Sequence, residues 1–483
     1  TGKEEANAAI QLEKKWNKNW FSSLYFSTFN AEIGVLRGSH IGNLTDLEDA
    51  LEREVPFFTE DKFSYEYESP YQRVNHHLVK FNTHWNITEL QSMNISFAGQ
   101  YNLRKEFDVR RGGRSNIPAL SIEQVSNFVE LKYQNQLSRK WKMKSGVQLN
   151  RTDNVNLPGT GILPLIPDYI SQELGYFLTF SKVHDKTQFD FGGRADFENR
   201  NVASISAGVP REVIRYSRRF QNFGAMVGLI QQLNDHWKIG LNSGYAVRNP
   251  EVNELYSNGL HQGVSGIEEG DPFLNEEASI KTTLSLKGEI GKKCSIQALF
   301  YHQQIDDFIF LNPQEEVRLT IRGAFPVFKY EQSNAQLIGF DFSGDIEVGE
   351  LIDVLVKYSY LRGKDQTKDI PLVNMPANSA SVRVELDMGK HGRIEQLKIQ
   401  ANGRYTFEQK NLLASQDFVA PPEGYFLLGA GFSGEIKVKQ HSITVSLRGE
   451  NILNERFRDY LNRQRYFADG QGLNLIAGIQ FAI

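Results

Sequence analysis

One cysteine, Cys294, stands in 483 residues, so neither a disulfide framework nor a Cys-x-x-Cys metal site can be built from this chain. A lone thiol in a strand-like stretch reads as a small packing residue. Long apolar runs are missing as well. Nothing approaches the ~18 residues a membrane helix needs, and mean hydropathy is −0.43. That excludes helical spans but not a transmembrane barrel, whose strands hide their apolar residues at every second position. Neither sign of charge is in excess, with 54 Lys and Arg against 58 Asp and Glu for a net −4, which removes the basic field expected of a nucleic-acid partner. Signatures of chemistry are also lacking: no HExxH, GxSxG, Walker A or βα-placed GxGxxG occurs, and the expectation is no enzyme and no cofactor. His76 and His77 are adjacent, so on a strand they face opposite sides and cannot chelate together. The start, Thr1-Gly2-Lys3-Glu4-Glu5, has neither the basic nor the apolar part of a signal peptide, and the numbered chain is expected to begin inside a longer precursor.

What the chain has is aromatic weight and a period of two. Aromatics make up 12% of it, with 32 Phe and 19 Tyr. Met93, Ile95, Phe97 and Tyr101 alternate with Asn94, Ser96, Ala98 and Gln100. Trp237, Ile239, Leu241, Tyr245 and Val247 alternate with Lys238, Gly240 and Asn242, and Leu473 to Ile483 repeats the pattern. Alternation of this kind gives each strand one apolar and one polar face. Counting such segments predicts about 18 strands, with cores such as 71–86, 120–136, 213–232, 294–311 and 326–346. The first dozen residues, EEANAAIQLEKKW, are expected to form a helical turn or to fray.

Connection lengths alternate, and that decides the topology. Short links at 137–140, 183–186, 233–236 and 291–293 interleave with long ones at 37–70, 106–119, 152–167, 200–212, 249–276, 312–325 and 453–471. Tight turns on one side and long loops on the other describe an antiparallel up-and-down barrel in an outer membrane. Closed sheets satisfy their own backbone donors and acceptors and so can enter hydrocarbon. Trp20, Trp85, Trp141 and Trp237 lie where an interfacial girdle belongs. A last strand descending to the periplasm predicts an even number of strands, the first of them ascending.

The stretch from Tyr245 to Glu277 carries the sharpest pattern: Arg248-Asn249-Pro250, then ELYSNGLHQG (254–263), then EEGDPFLNEE (268–277). Together with SPYQRVNHHLVKF (69–81), YEQSNAQLIGFDFSGD (330–345) and GENILNERFRDYLNR (449–463), it resembles the barrel of a TonB-dependent outer-membrane receptor. The resemblance covers nearly the whole chain. It implies that 1–483 is a barrel portion, about 18 strands of a 22-stranded wall, with an N-terminal plug and the first few strands absent. It further implies TonB-dependent import of a scarce nutrient across the outer membrane of a Gram-negative bacterium. A ferric siderophore or haem comes first, another metal complex second, a carbohydrate third. The implied partners are outer-membrane lipid and lipopolysaccharide, the metal chelate itself, and the inner-membrane TonB energy-transducing complex reached through the missing plug. The alternatives are a passive porin-like channel or a structural barrel within a larger assembly.

Within that frame His261 is either a loop-packing residue held by local hydrogen bonds or a ligand to haem iron or a metal, for which neutral imidazole is suited. No dedicated metal site is expected. Arg110, Arg111 and Arg114 in RKEFDVRRGGR (104–114), Arg215 beside Arg218 and Arg219, and Arg463 with Tyr460 in the last long loop form three basic clusters. Guanidinium forks there would draw an anionic chelate or lipid head groups. Glu268, Glu269 and Asp271 read as solvating the central loop, and Glu254-Leu255-Tyr256 as its structural corner.

Overall fold

Polar–apolar alternation held over a dozen or more residues can bury one face only if the chain extends and pairs, and extended pairing dominates here. The structure, a computed structural model, describes residues 2–35, 43–57, 68–110, 112–206, 208–320, 323–438 and 441–482. Among these residues there are 22 strands; three are loop strands of four residues or fewer, and the other 19 have nine or more. No helix among the described residues is long and apolar enough to cross a membrane.

Two compact units divide the chain. The first comprises Thr1–Gly228, Gly244–Ile280 and Ile305–Asn334, the second Leu229–Ser243, Lys281–Gln304 and Ala335–Ile483. In the first unit, Lys3–Asn17, Trp20–Gly34, Tyr71–Asn86, Gln91–Phe107, Leu120–Gln136, Trp141–Asn156, Asp168–His184 and Thr187–Ile205 form an unbroken antiparallel ladder, each strand paired with the next. In the second, the strand ending at Val348 leads through Ile352–Asp365, Ser379–Asp387, Ile394–Thr406, Tyr425–Val438 and His441–Glu450 to Asn474–Ala482, again antiparallel throughout. Short links such as 18–19, 87–90, 137–140 and 185–186 alternate with the long ones.

All five tryptophans sit within two residues of a strand end that borders a short link: Trp16, Trp20, Trp85, Trp141 and Trp237. Trp16 stacks on Trp20 at 5.2 Å, and Trp20 pairs in register with Trp85. Indole rings, apolar with one N–H, favour the border between hydrocarbon and water, so in the first unit the short-link side carries four such rings.

Two expectations fail. The first dozen residues are neither helical nor frayed; Lys3–Asn17 is a strand. Its Ala, Glu and Lys favour helix in isolation, but a continuous register that sets Ile10 against Phe26 and Leu12 against Leu24 overrides that weak preference. This strand leads into the short link at 18–19, so the first described strand runs toward the short-link side, and the even, ascending-first count does not hold. The second failure is the loop expected at 312–325. Strands Cys294–Thr320 and Gly323–Val348 take up its described residues, and Ala324, Phe325, Val327 and Phe328 are all buried rather than alternating.

Candidate functional site in the long loops

The central loop of the first unit is anchored by Arg248, which ends the strand Trp237–Arg248. Its guanidinium donates to Glu254 at 2.8 Å and to Glu277 at 3.0 Å, tying the start of the loop to its end. Glu254 also accepts the backbone N–H of Glu251 at 2.7 Å, starting the one-turn helix Val252–Tyr256. That helix buries Val252, Leu255 and Tyr256 against Val202, Leu274 and Ile309. Gly270 passes so close that a Cβ there would lie 2.6 Å from the backbone of Leu255 and Tyr256, which is why no side chain fits at that position. Beneath the turn, Arg200 pairs with Glu198 at 2.6 Å, both almost fully buried, and donates to the Pro250 carbonyl. Burial raises the Glu251 carboxyl above its ordinary value, partly offset by Arg200.

Beyond the helix, Asn258–His261 and Gly266–Glu269 form a small antiparallel hairpin. Its second strand runs parallel to 327–329 of the extended strand Gly323–Val348, and Ile267, Phe325 and Val327 close a small core with Leu260. This fixes His261. Its Nδ1 lies 2.8 Å from Oε1 of Glu268, whose side chain is only 5% exposed while the imidazole keeps 31%. A carboxylate only accepts, so Nδ1 carries the proton and Nε2 of the neutral ring carries the lone pair. Gly263 leaves that nitrogen's flank clear, since even a Cβ there would stand 3.8 Å away. The hairpin is braced by Arg318, 2.5 Å from Glu269 and 2.6 Å from Glu316. Glu268 and Glu269 are therefore fastening groups, not the solvating acids expected.

No group of three His, Cys, Asp or Glu able to hold a metal ion occurs among the described residues. A single imidazole cannot hold a bare ion, but it can complete the coordination of a metal that arrives with its other ligands already in place.

The other expected site residues are not gathered into one cluster. Arg110 donates from Nη1 to the Thr160 carbonyl at 2.9 Å, and so stitches two long loops together. Arg111 lies outside the described residues. Arg114 and Arg215 are exposed, with no ion pair among the described residues. Arg218 is spent on the Leu274 carbonyl, at 2.9 Å. In the second unit Tyr460 is buried, and Arg463 opens a short 3₁₀ turn, Arg463–Tyr466. Their neighbour Arg465 is the organising cation there. It pairs with Asp417, both under 5% exposed, and lies over the rings of Tyr460 and Tyr466 at 4.9 and 4.3 Å. Tyr466 donates to the same carboxylate at 2.6 Å, and burial pushes its phenol far above the tyrosine range. The last basic cluster is thus largely an internal fastening, because Arg465 and Arg458 both face carboxylates. Sequence reading missed Glu268 as the partner of His261 and Asp417 as the partner of Arg465; only strand alternation within 258–269 hinted at the first.

No curated protein sequence matches the chain. Among solved structures, the copper transporter OprC superposes with a TM-score of 0.77 at 12% identity, over 99% of this chain and 71% of that one. The ferric-catecholate import receptor Fiu from E. coli K12 gives 0.71 at 11% identity, over 99% and 75%. The FrpB iron transporter from Neisseria meningitidis (F3-3 variant) gives 0.68 at 12%, over 99% and 71%. Likeness at such identity carries the fold: an all-β, antiparallel, transmembrane barrel wall. The family described as TonB dependent receptor-like, beta-barrel matches residues 14–452, and the chain belongs to it.

Proposed function

We infer that the protein works in the outer membrane of a Gram-negative bacterium as a TonB-dependent importer of a metal chelate, with haem or a ferric siderophore as cargo. Family membership supports energised uptake through the inner-membrane TonB complex, engaged by a plug preceding the barrel portion. The structural neighbours named for copper, iron and ferric catecholate support a metal complex as cargo. The observation that carries the choice is the His261–Glu268 pair: an imidazole with one nitrogen fastened and the other open to a ligand, and no group of metal-holding side chains around it among the described residues. Arg114 and Arg215, exposed and without an ion pair among the described residues, would draw an anionic chelate toward the loops. In this reading the chain's part is binding and passage.

Titration of the purified protein with haem, followed in the Soret band, tests this. His261→Ala is expected to weaken binding by roughly tenfold or more and to slow growth with haem as sole iron source. Identical titrations for the two proteins would remove haem ligation from the reading. Unaided diffusion of small sugars through liposomes holding the protein would favour a passive channel.

A further inference from the structure

The apolar face of the first unit is not uniform. A groove of about 810 Å³ is cut into it where four strands from Leu120–Gln136 to Thr187–Ile205 meet the middle of Val213–Gln232. Its floor is made of small residues, Ser145, Gly193, Ala195 and Gly224. Leu131, Tyr133, Tyr176, Leu178, Phe223 and Met226 wall it. At Gly193 a Cβ would meet nothing closer than the Gly224 carbonyl at 3.5 Å. The volume falls within the ~300–1,000 Å³ of ordinary ligand clefts.

Toward the short-link side the groove ends in aromatics and then in cations. Phe180 stacks on Phe191 at 5.3 Å, and Trp141 stands edge-on to both, at 6.5 and 6.0 Å. Trp141 pairs in register with Lys182, and the Lys182 ammonium lies 5.1 Å from the indole centroid. Lys182 thus shares the apolar face with Phe180, two residues along. Arg139 and Lys140 lie in one adjoining turn and Lys186 in the next. None of these four cations has a carboxylate partner among the described residues, and the nearby Asp185 is turned to His184 at 3.0 Å. From Lys182 to Tyr176 is roughly 20 Å of strand, more than the ~15 Å depth of one leaflet's hydrocarbon.

We propose that this groove is a binding site for an anionic glycerophospholipid of the leaflet on the short-link side, its phosphate held by Lys182, Lys140 and the Trp141 N–H, and an acyl chain lying over Gly193. A cation at the edge of a lipid-facing surface turns its ammonium to the phosphate layer. The four unpaired cations supply the charge complement that an uncharged head group would leave unmet. The recess distinguishes the site from general contact with the bilayer, because the missing side chains leave a slot that one ordered chain fills. The inference rests on the membrane reading above.

The test uses the whole chain in nanodiscs of equal parts phosphatidylglycerol and phosphatidylcholine with identical acyl chains, followed by mild extraction and native mass spectrometry. One phosphatidylglycerol should remain bound in preference to phosphatidylcholine. Lys182→Gln should cut its retention roughly fivefold. Gly193→Leu, whose Cβ would stand in ordinary contact with the Gly224 carbonyl at 3.5 Å and whose branch would fill the slot, should lower retention of either lipid. Heat-modifiable migration in gels reports that each variant is folded and inserted. Folded, inserted protein that retains both lipids equally, or that is unaffected by both substitutions, overturns the lipid site and leaves the membrane reading intact. Failure to enter bilayers of any composition overturns both.

Discussion

Glu268 accepts the Nδ1 proton of His261 at 2.8 Å from a position almost sealed from solvent, seven residues further along the chain. In the neutral ring, that leaves the lone pair on Nε2. Glu268→Gln conserves the shape but offers an amide that can donate to Nδ1, moving the ring proton to Nε2. Haem affinity is expected to fall by about tenfold, read in the same Soret titration, while loop protection stays unchanged.

Arg248 holds both ends of the central loop by its two carboxylates. Arg248→Ala leaves Glu254 and Glu277, whose side chains are 13% and 14% exposed, without their shared cation. Because the guanidinium is 40% exposed, solvent screening limits the expected cost to about 1–2 kcal/mol. Amide hydrogen exchange should quicken across 249–276 and not in the ladder of the first unit.

In the second unit the Asp417–Arg465 pair is buried on both sides. Removing one charge strands the other, so Asp417→Ala is expected to cost about 3–5 kcal/mol locally. Tyr466→Phe, losing one hydrogen bond to that carboxylate, should cost only about 1 kcal/mol. Exchange in 410–422 and 453–471 measures both, and the double variant should cost less than the sum.

Glu251 gives the central loop a pH dependence. Burial is the leading cause of its raised value, with Arg200 and Arg248 opposing it and Glu254 and Glu198 adding to it. A carboxyl raised on folding binds its proton more tightly in the folded loop. Its contribution is therefore fully present below the ordinary value of 4.5 and is lost as pH rises through the folded value. Loop protection should fall over that range, and Glu251→Gln should flatten the profile. A wild-type profile rising with pH would contradict the sign.

Trp237 lies flat against Gly288, where a Cβ would come within 2.2 Å of the indole. Gly288→Ala must displace the ring. The emission spectrum of the protein should shift, with a loss of about 1–3 kcal/mol for overpacking.

Much of the fold was legible because alternation and link length are local properties. The strand 213–232 is found where its pattern places it, and in the segment Glu254-Leu255-Tyr256 the Leu255 and Tyr256 side chains are buried. The site was legible only in outline. His261 stands out by its glycine neighbours, but nothing in the spelling of 254–277 tells which acid it faces. Arg465 attracted less notice than Arg463, yet its carboxylate partner lies 48 residues earlier.

The amino-acid order by itself determined which residues turn to hydrocarbon and which to water, since in an extended chain that is decided by position parity alone. Tertiary structure decided what the polar groups in the loops are for. Whether an arginine is a lure or a rivet, and which imidazole nitrogen stays open, depends on the acid that distant folding brings within 3 Å.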